Sequence, residues 1–159
     1  MELRRLDPER DEALIREAVG WLDDQPLFFR NCDAVWGTED ADAYLAQMKT
    51  DPQADFGVWD GREFIAVITV SLAGHRVYNS HLMAKRSADV EVLKVAIASV
   101  LNQMIENGMR EGWMLLARKN YGVRRILEIV GMRRDGVTRI KGQSHGKPIE
   151  WVRYSVRTA

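Results

Sequence analysis

Cysteine is almost missing from this chain: Cys32 stands alone among 159 residues. That excludes an intrachain disulfide and a thiolate pair for a metal, and it fits a reducing compartment. Net charge is missing too, since Lys plus Arg and Asp plus Glu are 23 each. The balance therefore offers neither nucleic acid nor an anionic membrane as a general partner. No apolar run approaches the length of a membrane span, and the start, Met1-Glu2-Leu3-Arg4-Arg5, lacks the apolar stretch of a signal peptide. A soluble cytoplasmic protein is expected. Of the three histidines, His75 and His145 fall in expected turns without ligand-like company, so no metal site is expected. Internal repeats, low-complexity tracts and a linker long enough to separate domains are absent as well, and the reading is one domain over residues 1–159.

What is present is a large apolar fraction, 46%, enough for a real core in a chain of this size. Residues 2–6 read as a short strand. Asp7-Pro8 is a helix start, with Asp7 capping N–H groups and Pro8 presetting φ at the first helical position. Leu14, Ile15, Ala18 and Leu22 then fall on one helical face. Thr38 is placed to cap a second helix running to about Lys49. A hairpin is expected around Asp60-Gly61, its second strand carrying Ile65-Ala66-Val67-Ile68, apolar on both faces as in a central strand covered by helices. Residues 76–83 form a further strand. The clearest amphipathic pattern, residues 89–107, ends at Gly108; strand 113–117 and helix 122–130, stopped by Gly131, follow. A last hairpin pairs residues 137–141 with 149–156. This order predicts an α/β (α+β) fold with a mixed, mostly antiparallel central sheet and helices on both faces.

The most informative stretch is the junction after strand 76–83, Lys85-Arg86-Ser87-Ala88-Asp89-Val90-Glu91. A helix opening off a strand presents unpaired N–H groups and the positive end of its dipole, which suits an anion. Arg86 suits a phosphate. Asp89 and Glu91 do not, because carboxylates in the first turn compete for the same dipole. Arg86 also has a structural alternative, pairing with one of those acids.

The order of elements and a few residues resemble the GNAT superfamily of N-acetyltransferases over nearly the whole chain. The family's pyrophosphate loop usually reads Arg/Gln-x-x-Gly-x-Gly/Ala; with its basic residue on Arg86, Asp89 and Glu91 stand in place of the glycines. Members often carry Asn, then a helix ending Tyr-x-x-x-Gly-Phe. Here Asn120 is followed by Leu127 and Gly131-Met132, so spacing is kept while the tyrosine is lost. The degenerate letters are similar to those of GNAT-like proteins met among tailed-phage genes.

This resemblance implies that acetyl-CoA or another acyl-CoA is the cosubstrate, an amine the acceptor, and direct attack the mechanism. It places the pantetheine arm on the backbone of Leu82, Met83 and Ala84, and pyrophosphate on Arg86 and the backbone from Ser87 onward. Asn120 would serve the thioester end, with Tyr121 standing in for the missing proton donor at Leu127. It also implies a homodimer through the last strands. His81 has an unperturbed pKa suited to taking a proton from an amine, although a lone histidine is more often packed or surface-bound. Trp36 beside a substrate pocket is a further expectation; Cys32, in the same segment, has no adjacent base to make it a nucleophile and reads as an inert thiol. Arg124 and Arg125 either reach the adenosine 3′-phosphate or cover their own helix face. The loss of both loop glycines and of the tyrosine leaves a second reading open: a catalytically inactive GNAT-fold binding or assembly protein.

Overall fold

A computed structural model describes residues 1–24, 41–138, 143–144, 147–148 and 150–158. Cys32, Trp36, Thr38 and His145 lie outside the described residues. β1 (Glu2–Arg5) leads into a turn in which Asp7 accepts from the N–H groups of Glu9 and Arg10 at 2.9 Å each. The regular helix α1 (Glu12–Gly20) begins later than the Asp7-Pro8 signal predicts. Asp11 closes that turn: its buried carboxylate takes the Asp7 N–H at 2.8 Å and the guanidinium groups of Arg4 and Arg10 at 3.0 and 2.9 Å. Burial alone would raise the Asp11 carboxyl, but these hydrogen bonds hold it far below the usual carboxylate range.

A 3₁₀ turn (Trp21–Asp24) and α2 (Ala41–Thr50) precede β2 (Gln53–Asp60) and β3 (Glu63–Gly74). The hairpin loop is Gly61-Arg62, one residue beyond the expected Asp60-Gly61. β4 (Val77–Ala84), α3 (Val90–Glu106), β5 (Glu111–Ala117) and α4 (Tyr121–Ile129) follow as the alternating middle of the chain. Both helices stop where their glycines require. Gly108 has φ +82° and Gly131 φ +95°, and the next residue's N–H returns to the helix at 2.9 Å, Met109 to Met104 and Met132 to Leu127.

β6 (Arg133–Thr138), the short pair β7 (Gln143–Ser144) and β8 (Lys147–Pro148), and β9 (Trp151–Arg157) complete the order. The main sheet runs β1-β2-β3-β4-β5-β9-β6, and only β4 and β5 are parallel neighbours. Two cores flank it. Ala66, Ile68 and Val70 of β3 face α3 and α4, while Val67 faces the α1 side with Ile15 and Ala18. The both-sides-apolar reading of this strand is realised in that alternation. The last pairing is β6 against β9, from Arg133↔Ser155 to Thr138↔Trp151, so its first strand begins four residues before the expected 137–141.

Candidate functional site

The single parallel pairing is also the short one. β4 and β5 are joined from Val77↔Glu111 to Ser80↔Met114, and the ladder between them ends there. β4 nevertheless stays paired with β3 as far as Ala84↔Ala66, and β5 with β9 as far as Ala117↔Trp151. Each strand thus follows its outer neighbour, and a fork opens between residues 81–84 and 115–117. A strand edge beside such a gap can take an extended ligand by main-chain hydrogen bonds, the physics of strand addition.

Both arms of the fork end in a helix N-terminus. On the β4 side the Lys85 N–H bonds to Ile65 O at 2.9 Å, and the Ala88 N–H to Lys85 O at 3.0 Å, forming a tight turn before α3. Asp89 is the N-cap: its carboxylate accepts from the Glu91 N–H at 2.7 Å and the Val92 N–H at 3.4 Å. Glu91 pairs with Lys94. Lys85 is held by Glu17 of α1 and Glu63 of β3, each at 3.3 Å. Arg86 is exposed and makes no ion pair among the described residues, so the self-pairing with Asp89 or Glu91 is not what the loop does. The N–H groups of Ser87, Asp89 and Val90 carry no bond from the chain among the described residues.

On the β5 side, Asn120 caps α4, accepting from the Val123 N–H at 3.3 Å, while Tyr121 stands 70% exposed at the first helical position. Leu127 is fully buried in the α4 core. Arg124 is drawn inward: it donates to the Tyr154 hydroxyl at 3.1 Å and to Arg118 O at 2.8 Å, and Tyr154 donates to Glu128 at 2.7 Å. The Tyr154 hydrogen bond raises the Arg124 pKa further. Arg124 thus clasps α4 to β9 and serves its own helix.

Leu82, Met83, Ala84, Arg86 and Ser87 therefore line one arm and its end, and Asn120 and Tyr121 the end of the other. His81 is the first residue past the closure. It pairs with Thr69, which pairs with Asp55, so the three stand in one cross-strand row on the α1 and α2 face. Burial drives the imidazole down to a pKa of about 3, leaving it neutral at physiological pH.

Sequence reasoning missed the polar cluster behind His81. Asp55, 2% exposed, accepts from Tyr44 at 2.5 Å, from Thr69 at 2.6 Å and from Gln53 at 2.9 Å. Burial, then the Asp55 charge, pushes the Tyr44 phenol well above its ordinary value. The available signal was an acid in the strand of Phe56 and Val58, where only a bonded carboxylate can be buried. No metal-binding cluster occurs among the described residues, and no described helix is long and apolar enough to cross a membrane.

No sequence-family description and no curated protein matches the chain. Solved structures do. A variant of spermidine N-acetyltransferase SpeG from Vibrio cholerae superposes with TM-score 0.77 at 14% identity, covering 99% of this chain and 95% of that one. RimJ from Mycobacterium smegmatis, in complex with CoA-disulfide, gives TM-score 0.74 at 16% identity over 98% and 80%. Ribosomal-protein-S5-alanine acetyltransferase from Vibrio fischeri gives TM-score 0.78 at 11% identity over 98% and 91%. With its seven-stranded, mostly antiparallel sheet opened between β4 and β5, the chain has the fold of the GNAT acetyltransferases.

Proposed function

We propose that this protein transfers an acyl group from acyl-CoA to an amine by direct attack. The observation that carries this reading is the fork between β4 and β5, flanked at its open end by two helix N-termini. The residues present fit the cosubstrate. The backbone of Leu82, Met83 and Ala84 would hold the pantetheine arm, and Arg86 with the N–H groups of Ser87, Asp89 and Val90 would hold the diphosphate. Asp89 is the internal competitor at that end, since its carboxylate already takes two donors of α3.

Acyl-CoA supplies an activated thioester. The amine nitrogen forms a bond to the carbonyl carbon, the carbon–sulfur bond breaks, and the nitrogen loses a proton. Tyr121, exposed beside Asn120, would give a proton to the departing sulfur and regain it from solvent. His81 lines the acceptor side as a neutral imidazole. With a pKa of about 3 it cannot hold an amine's proton at neutral pH, so that proton leaves to water.

Calorimetry with CoA and acetyl-CoA, with melting temperature in parallel, tests the reading, because a ligand of the native state must raise stability by mass action. Thiol release with a panel of amines then tests transfer. Binding without release on any amine would favour the second reading, an inactive binding or assembly protein, which the Asp89 cap and the buried Leu127 both support. Absence of CoA binding at millimolar ligand would remove the transferase reading.

A further inference from the structure

An apolar cavity of about 20 Å³, partly open to solvent beside the half-buried Leu101 and Met104, lies between α3 and the sheet. Its wall includes Ser80 and Met114, the pair at which the β4–β5 ladder stops. Val100 and Met104 of α3 and Met132 complete the part that matters here. The cavity therefore begins where the fork closes, on the face away from α1 and α2. Ser80 supplies the one polar side chain in the lining. With so little polar lining the space offers few partners to a water, which needs two to four. It is bounded by Met104, Met114 and Met132, whose unbranched side chains reshape readily around an apolar guest.

We propose that this cavity receives the acyl chain of the donor, and that the preferred donor carries one or two carbons more than acetyl. This rests on the acyl-transfer reading: with the pantetheine arm laid along the fork from its open end, the thioester carbon reaches the closed end beside Ser80 and Met114. An acetyl methyl stops there. A propionyl or butyryl chain continues past the closing pair into space that is otherwise empty. The limited volume sets an upper bound on length, and the methionines set how far that bound can be stretched.

Calorimetry without an amine, using CoA, acetyl-, propionyl-, butyryl- and octanoyl-CoA, tests the proposal without requiring catalysis. Each buried methylene should tighten binding roughly fourfold, making butyryl-CoA about fifteenfold tighter than acetyl-CoA, with no further gain for octanoyl-CoA. Val100→Ile places one more carbon in the cavity and should erase the gain from acetyl to propionyl while leaving CoA affinity unchanged. Met104→Ala, at a partly exposed site, should move the optimum toward a longer chain. If CoA binds but acetyl- and butyryl-CoA bind equally well, the cavity proposal falls and the acyl-transfer reading stands. If CoA itself does not bind, both fall.

Discussion

His81 offers a direct measurement of how closed the fork is on its α1 and α2 face. Burial lowers its pKa from the usual 6.5 to about 3, so the folded protein resists protonation while the unfolded chain accepts it readily. The unfolded state then binds more protons between these two values, and stability must fall as pH drops below 6.5. At pH 5 the unfolded imidazole is almost fully charged and the folded one is not, a difference of about 2 kcal/mol relative to pH 7. His81→Phe keeps a ring of similar shape and cannot titrate, so its stability should be flatter by that amount over the same interval. Urea denaturation of both proteins at pH 7, 6 and 5 reads the difference. Asp11 does not interfere, because its depressed carboxyl contributes stability that is lost only in more acid solution, below its unfolded value of 3.8. Parallel curves for the two proteins would mean that water reaches the imidazole, and would restore His81 as a candidate base.

Arg86→Ala should weaken CoA binding about tenfold or more, the loss of a charge-assisted contact, and leave the melting temperature alone because Arg86 has no ion pair to lose. Asp89→Gly frees the Glu91 and Val92 N–H groups and should tighten CoA binding at a stability cost of a few tenths of a kcal/mol; unchanged affinity in both loop variants by calorimetry would exclude a phosphate at this helix start. Tyr154→Phe removes the link between Glu128 and Arg124 and should cost about 1 to 2 kcal/mol in urea denaturation. Asp55→Ala strands Tyr44, Thr69 and Gln53 in the interior and should cost about 3 kcal/mol or more, with CoA affinity retained in the folded fraction.

The elements that were legible in the sequence are those set by local rules. Gly108 and Gly131 stop their helices because only a residue without Cβ takes those φ values cheaply, and that requirement is written in one letter. Residues 65–68 announced a strand covered on both faces because no other placement buries every side chain. The fork was legible only through resemblance. It is a difference in pairing partners beyond Ser80 and Met114, and nothing in the letters of Leu82, Met83 or Ala84 distinguishes a paired backbone from an open one. The start of α1 moved for a similar reason, since the decisive partner of Asp11 is Arg4, seven residues away on another element. Arg124 and Glu128 stand one helical turn apart on α4, but Tyr154, the residue that joins them, comes from β9.

The altered loop also has a magnitude, and that magnitude separates the two functional readings. An N-cap carboxylate contributes about 1 kcal/mol to a helix, up to about 2 in favourable cases. A diphosphate arriving at α3 must displace or share the donors that Asp89 holds, so its binding is weakened by about that much, a factor of roughly 5 to 30. The backbone of residues 82–84 is untouched by this competition, because an extended arm would be held there by groups every residue possesses. On the acyl-transfer reading the Asp89 cap would therefore lower CoA affinity without removing the site. A module that binds no CoA at all needs more than this: a closed fork, or a loop blocked outright by the side chains of Asp89 and Glu91. The ladder between β4 and β5 stops at Ser80 and Met114, and Tyr121 stands exposed at the far end. Weakened but measurable CoA binding is thus the outcome that the geometry favours, and its recovery in Asp89→Gly would identify the cap as the cause.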